Sequence, residues 1–294
     1  MILVFGKNGQ LGSELVDTLR VFSTVIGIDR SQVDLTDLDS IKNTLNLYKP
    51  KIIINAAAYT NVKQAEVDNE LAIKINGYAP MGMADIANDL GATLIHFSTD
   101  YVYDGRKGAP YVETDKPNPL NNYGESKLLG DKLVQSLTSR HYIFRTSWVA
   151  GANGTNFVTA ILKQACLKPE LEVVDDQFGN PTPVAELVRA TTYSILTSKG
   201  RAPYGIYHVC GAGATNWFEY AKVILQMAQK ANYPLKSTSD CVIPIKTSDQ
   251  GVERPMNSEL STAKFEREFT KLCPWEDDLE EMVWRLKDKI VQNL

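Results

Sequence analysis

Tyr123 and Lys127 stand four residues apart, a spacing that puts a phenol and an ammonium group on one face of a helix. A phenol with its ordinary pKa of about 10 gives up a proton poorly at neutral pH, and a cation one turn away stabilises the anion it leaves. Such pairs also occur on ordinary helix surfaces, so their weight depends on what accompanies them. Thr99 closes an apolar run upstream of the pair, and a hydroxyl there could hydrogen-bond a carbonyl oxygen that the phenol also reaches.

The elements that must position these groups begin at the first residues. Ile2-Leu3-Val4-Phe5 reads as a short buried strand, followed by Gly6-Lys7-Asn8-Gly9-Gln10-Leu11-Gly12 and a helical pattern with Leu11, Leu15 and Leu19 on one stripe. Strand, glycine turn and helix is the order of a dinucleotide site. Gly6 suits the tight turn, Gly9 a close approach of the pyrophosphate, and Gly12 tight packing of helix on strand, while the helix N-terminus favours the anion. The second strand, Thr24 to Ile28, ends in Asp29-Arg30. An acid there suits the ribose hydroxyls of NAD and an arginine the 2′-phosphate of NADP, so both cofactors stay open. Asp34 and Leu35 could flank an adenine.

Strands then alternate with helical stretches: Lys51 to Asn55, Ala92 to Phe97 and Tyr142 to Phe144. Near-continuous apolar strands of this kind indicate an α/β protein with a doubly wound, Rossmann-type parallel sheet covered on both faces. Ligands of such sheets sit beyond the carboxyl ends of the strands. The residues to read are therefore Asn55-Ala56-Ala57-Ala58, Ser98-Thr99-Asp100 and Arg145-Thr146-Ser147-Trp148. Alanines 56 to 58 could admit a ribose or nicotinamide closely.

Composition narrows the class of partner. With 294 residues there is room for a nucleotide domain and a smaller one, and a net charge of −4 gives no basic excess for gripping nucleic acid. The four cysteines, Cys166, Cys210, Cys241 and Cys273, are scattered and suggest neither a metal site nor a disulfide scaffold. No apolar run is long enough to span a membrane and no leader is evident, so a cytoplasmic protein is expected.

Assembled, the motifs resemble the extended short-chain dehydrogenase/reductase superfamily and, within it, the dTDP-4-dehydrorhamnose reductase family. The resemblance runs nearly end to end. It rests on Gly-Lys-Asn-Gly-Gln-Leu-Gly at the start, Asn55 to Ala58, Ser98 to Tyr103, Tyr123 to Lys127, Phe144 to Trp148, Asp176 to Thr182 and Arg254 to Ser258. It implies NADPH- or NADH-dependent reduction of the C4 ketone of dTDP-4-dehydro-L-rhamnose, the last step of dTDP-rhamnose synthesis for surface polysaccharide. Thr99, Tyr123 and Lys127 would then be catalytic, with Lys127 also on the nicotinamide ribose. The cofactor would lie on Gly6, Asn8, Gly9, Gln10, Leu11, Gly12, Asp29, Arg30, Asp34, Leu35, Ala56, Ala57 and Ala58. Thr99, Asp100, Tyr123, Trp148, Asn156, Phe157 and Arg254 would meet the nucleotide sugar. A homodimer with Mg2+ at its interface is a further expectation. Two departures stand out: Lys63-Gln64 where the family often carries Asp-Lys, and Tyr59 where histidine is frequent.

The C-terminal part reads as a smaller α/β substrate-binding domain, with helices expected near Trp217 to Ala231 and Trp275 to Val291. The expected division is 1–150 for the dinucleotide and 151–294 mostly for the sugar nucleotide, with 183–198 returning to the first domain. Two alternatives remain: another sugar-nucleotide ketoreductase or epimerase of the superfamily, and a non-catalytic regulatory subunit like that of methionine adenosyltransferase. A dehydratase would carry Thr-Asp-Glu where this chain has Thr99-Asp100-Tyr101.

Overall fold

The computed structural model describes residues 1–197, 202–247 and 252–294. In chain order the first half gives β1 (Ile2–Phe5), α1 (Gln10–Leu19), β2 (Val25–Ile28), α2 (Leu38–Tyr48), β3 (Ile52–Asn55), α3 (Val62–Ala65), α4 (Asn69–Ile73), α5 (Ala79–Leu90), β4 (Thr93–Thr99), α6 (Asn122–Leu137) and β5 (His141–Thr146). There follow β6 (Val149–Ala150), α7 (Phe157–Leu167), β7 (Leu171–Val174), β8 (Phe178–Gly179), β9 (Thr182–Pro183), α8 (Val184–Thr197) and β10 (Gly205–His208). The chain ends with β11 (Thr215–Asn216), α9 (Trp217–Lys230), β12 (Val242–Ile245), α10 (Ala263–Glu268) and α11 (Trp275–Val291).

The main sheet has six strands in the order β10-β5-β4-β3-β1-β2, all parallel. Winding reverses between β1 and β3, which opens a crevice at the strand ends. Alternation along β1 explains the two layers. Ile2 and Val4 face a core shared with Leu15 and Val16 of α1 and Leu187 and Val188 of α8. Leu3 and Phe5 face a second core with Ile41 of α2, Met83 of α5 and Val134 of α6. A third core, from α7, α9, α11, β7 and β12, fills the C-terminal lobe.

The terminal helices fall within a residue of the expected ranges. Ser198, the last residue of the expected returning segment, lies outside the described residues. The sixth strand was not foreseen: β10, four residues long, pairs with β5 beyond that segment. Its sequence, Gly-Ile-Tyr-His, is too short and too mixed to announce itself without a partner. Between α4 and α5 one turn, Lys74–Tyr78, widens to a π-helix, and its Asn76 side chain bonds the Tyr59 backbone and the Ser126 hydroxyl. No described helix is long and apolar enough to cross a membrane.

Candidate active site

The first turn is built by two glycines that tolerate no side chain. Gly6 has φ +86°, and a Cβ at Gly12 would fall 2.0 Å from the Gly6 carbonyl oxygen. Helix α1 therefore starts directly against the end of β1. Its N-cap, Gly9, offers no side-chain acceptor, so the first N–H groups of α1 point to the crevice for an anion. These are the features a dinucleotide pyrophosphate requires.

At the end of β2 the Asp29 carboxylate is already engaged. It accepts from the Ser31 backbone N–H and hydroxyl and from Asn8 Nδ2 at 3.0 Å, and lies 3.1 Å from Lys7 Nζ. The Ser31 bonds first, then those from Lys7 and Asn8, hold its carboxyl well below the usual range. Arg30 beside it is exposed and lines the crevice. Farther along, Asp34 accepts from the backbone and hydroxyl of Thr36, which lowers its carboxyl in the same way.

The candidate catalytic groups gather at the ends of β4 and β5. Tyr123 occupies the first turn of α6, whose N-terminus is fixed by the Asn121 side chain on Gly124 N–H and by Glu66 on Asn122 N–H at 2.8 Å. Tyr101 packs edge-on to Tyr123 with centroids 5.7 Å apart. Burial raises the Tyr123 phenol, a hydrogen bond with Thr99 opposes this, and Asp100 adds to the rise. Lys127 is only 2% exposed and donates from Nζ to the Phe97 carbonyl at 2.6 Å. Burial brings its ammonium down to about 8, with Asp131 pulling the other way. The expected acidification of the phenol by Lys127 is therefore not at work here. The ammonium is drawn to the β4 backbone instead.

Trp148 follows β5 with φ 46°, a left-handed conformation rare for a bulky residue. Its indole stacks on Trp217, with centroids 3.5 Å apart and planes 10° from parallel. The two rings make a flat apolar wall of the same cleft that Tyr123 lines.

One cleft of about 1060 Å3 joins all of this. It is lined by Gly6, Asn8, Gly9, Gln10, Leu11, Asp29, Arg30, Asp34, Leu35, Ala56, Ala57, Ala58, Thr99, Asp100, Tyr123, Lys127 and Trp148 among the residues singled out from sequence. Gly12, Asn156, Phe157 and Arg254 are not in the lining. Asn156 caps α7 and reaches Gln10 Oε1 at 2.8 Å, Phe157 supports Trp217 from behind, and Arg254 is exposed with its charge acting on Tyr101. Sequence reasoning missed Trp217 and Leu187, which line the cleft from elements remote in the chain. Only the aromatic start of the helix expected at Trp217 hinted at one of them. Among the described residues no group of three or more His, Cys, Asp or Glu is placed to hold a metal ion, so the expected Mg2+ finds no fit within one chain.

Comparison with known proteins gives a consistent picture. Residues 1–288 match the family described as RmlD substrate binding domain. The dTDP-4-dehydrorhamnose reductase of Escherichia coli K12 is 38% identical over 288 residues, covering 96% of both chains. The crystal structure of dTDP-4-dehydrorhamnose reductase from Bacillus anthracis in complex with NADP superposes with a TM-score of 0.87 at 35% identity, covering 96% of this chain and 97% of that one. A Clostridium acetobutylicum dTDP-4-dehydrorhamnose reductase ortholog superposes with a TM-score of 0.88 at 32% identity, covering 99% of each.

A Cβ at Gly124 would lie 2.3 Å from the Tyr101 carbonyl oxygen, so α6 approaches the β4 turn only through this glycine. Gly124→Ala is expected to cost about 1–3 kcal/mol in urea unfolding and to displace Tyr123. Unchanged unfolding and unchanged turnover together would show that the contact gives way freely.

Proposed function

The chain belongs to the dTDP-4-dehydrorhamnose reductase family, and we propose that it reduces the C4 ketone of dTDP-4-dehydro-L-rhamnose to dTDP-L-rhamnose with a nicotinamide cofactor, in the cytoplasm. The observation that carries this reading is the convergence of Thr99, Tyr123 and Lys127 in one cleft, between the glycine turn of α1 and the Trp148–Trp217 wall. We assign residues 1–150, with 183–197, to the dinucleotide and most of 151–294 to the sugar nucleotide. A homodimer is part of the proposal, with any Mg2+ shared between chains; sedimentation with and without a chelator tests it.

When bound, reduced nicotinamide supplies a hydride to the ketone carbon. Negative charge then grows on the ketone oxygen, and Tyr123 gives it the proton that completes the alcohol. Burial favours the neutral phenol, so the donor is loaded at neutral pH. Lys127, fixed by Phe97, is placed to hold the nicotinamide ribose with its charged form. Trp148 and Trp217 offer a dry face to the sugar. Thr99, through its hydroxyl, orients the reacting oxygens.

Cofactor choice follows from the end of β2. Asp29 has its acceptor capacity taken up by Ser31, Asn8 and Lys7, so it is poorly free to bond a ribose, whereas Arg30 has no ion pair among the described residues. This supports NADPH over NADH.

Three outcomes are expected from absorbance at 340 nm with the keto sugar nucleotide. Tyr123→Phe should bind cofactor as the parent does and lose roughly 10²–10⁴-fold in kcat; full turnover would remove the phenol from the chemistry. Arg30→Ala should lower kcat/KM for NADPH by roughly tenfold or more and leave NADH untouched. An equal loss with both cofactors would remove the phosphate role. Because the charged form of Lys127 is the useful one and it titrates at about 8, kcat/KM should fall as pH rises through that value. Lys127→Arg should carry the fall to higher pH, and a fall that stays in place would assign it to another group.

A further inference from the structure

Asp100 lies at the floor of the cleft, 2% exposed, on the single 3-10 turn that follows β4. Both of its carboxylate oxygens are used within the chain. Oδ1 accepts from Thr99 Oγ1 at 3.1 Å, and Oδ2 accepts from Ser258 Oγ at 2.5 Å. Such a carboxylate has little left for a sugar hydroxyl. Its influence on the reaction runs through Thr99.

A threonine hydroxyl holds one proton and two lone pairs. Here the proton goes to Asp100, while Thr99 Oγ1 accepts from the Tyr101 backbone N–H at 3.2 Å. The second lone pair of Thr99 is open, and its hydroxyl lies close enough to the Tyr123 phenol to oppose the rise that burial causes there. In this state Thr99 has no proton for a ketone oxygen. We propose that Asp100 is a positioning residue that sets the direction of the Thr99 proton: the carboxylate keeps it, and the carboxylic acid releases it toward the ketone.

With Asp100 protonated, the order of donors reverses without loss of a bond. The acid proton is donated to Thr99 Oγ1, and the Thr99 proton turns to the ketone oxygen. No covalent bond changes beyond the single proton that Asp100 takes from solvent. The inference rests on the reductase reading above. The surroundings fit it: burial lifts the Asp100 carboxyl to about 6, with the Ser258 and Thr99 bonds opposing, so both forms are reached near neutral pH. The groups facing it are Tyr101 on its own turn, Tyr123 on α6 and Cys210 beyond β10, each pushed up by burial and so neutral. Arg254 acts on Tyr101. Ser258 comes from the C-terminal lobe, so that lobe holds one end of the switch.

The test is kcat against pH for the wild type, Asp100→Asn and Ser258→Ala, with NADPH affinity measured alongside by fluorescence. The wild type should show kcat rising as pH falls through an acid limb. Ser258→Ala removes a donor that stabilises the carboxylate and should move the limb to higher pH. Asp100→Asn should abolish the limb, because an amide does not titrate in this range, with NADPH affinity unchanged. A limb identical in all three proteins overturns the proposal. If Asp100→Asn does not fold, the Ser258→Ala limb decides alone, a shift supporting the proposal and no shift overturning it. A wild type that consumes no NADPH with the keto sugar at any pH overturns the reductase reading itself, a result distinct from an unmoved limb.

Discussion

Close approach of α6 to the turn after β4 and to the π-turn decides where Tyr123 and Lys127 sit. Two glycines permit it: a Cβ at Gly124 would meet the Tyr101 carbonyl, and one at Gly130 would lie 2.2 Å from the Asn76 carbonyl in the π-turn. With the helix this near, Lys127 reaches the Phe97 carbonyl and Tyr123 reaches Thr99. The first turn is further pinned by Asn121 and Glu66, and the flank by Asn76 to Ser126. The Asn121 bond caps the helix itself, while those from Glu66 and Asn76 fix it against two different neighbours.

The same proximity buries charge, and the fold answers with a polar seam beneath the site. Asp131, four residues beyond Lys127, accepts from Arg145 Nε at 3.0 Å, and Arg145 Nη1 donates to Tyr103 at 2.8 Å. Tyr103 in turn meets His208 at 2.9 Å, so β4, β5 and β10 are joined across their ends. His96 lies 3.9 Å from Asp131, but burial first and the Lys127 charge second push its imidazole far down, so it is neutral. The anion thus serves two buried cations. A buried ion pair adds little net stability over an apolar core, but removing one member strands the other. What the seam supplies is a fixed place for the Lys127 charge.

Local pattern made much of this legible. Strand, glycine turn and helix at residues 2–19, the Tyr123–Lys127 spacing and the polar strand ends are short-range signals, and their geometry follows from period and steric rules. Relations between distant segments were not legible. Trp217 stacks on Trp148, Ser258 binds Asp100 and β10 pairs with β5, and each joins elements whose adjacency only the folded chain defines. Spacing placed Lys127 beside Tyr123 on the helix, but the competing acceptor, Phe97 O, belongs to another element, so the direction of the ammonium was invisible. Leu94, Ile95 and Phe97 showed β4 as a buried strand and said nothing of its carbonyls.

The two lobes meet through a few directional contacts. Gln10 Oε1, in the first turn of α1, accepts from both Asn156 Nδ2 and the Gly151 N–H, and Asn156 simultaneously caps α7. The segment between these residues begins just after Trp148, whose left-handed backbone costs on the order of 1–3 kcal/mol. A strained residue persists only when its surroundings over-determine it. Here the stack on Trp217 holds the side chain and the Thr182 N–H bonds the Trp148 carbonyl at 3.3 Å. Asn156 and Phe157 therefore shape the cleft without lining it: one ties the start of α7 to the glycine turn, and the other packs on the ring against which Trp148 rests.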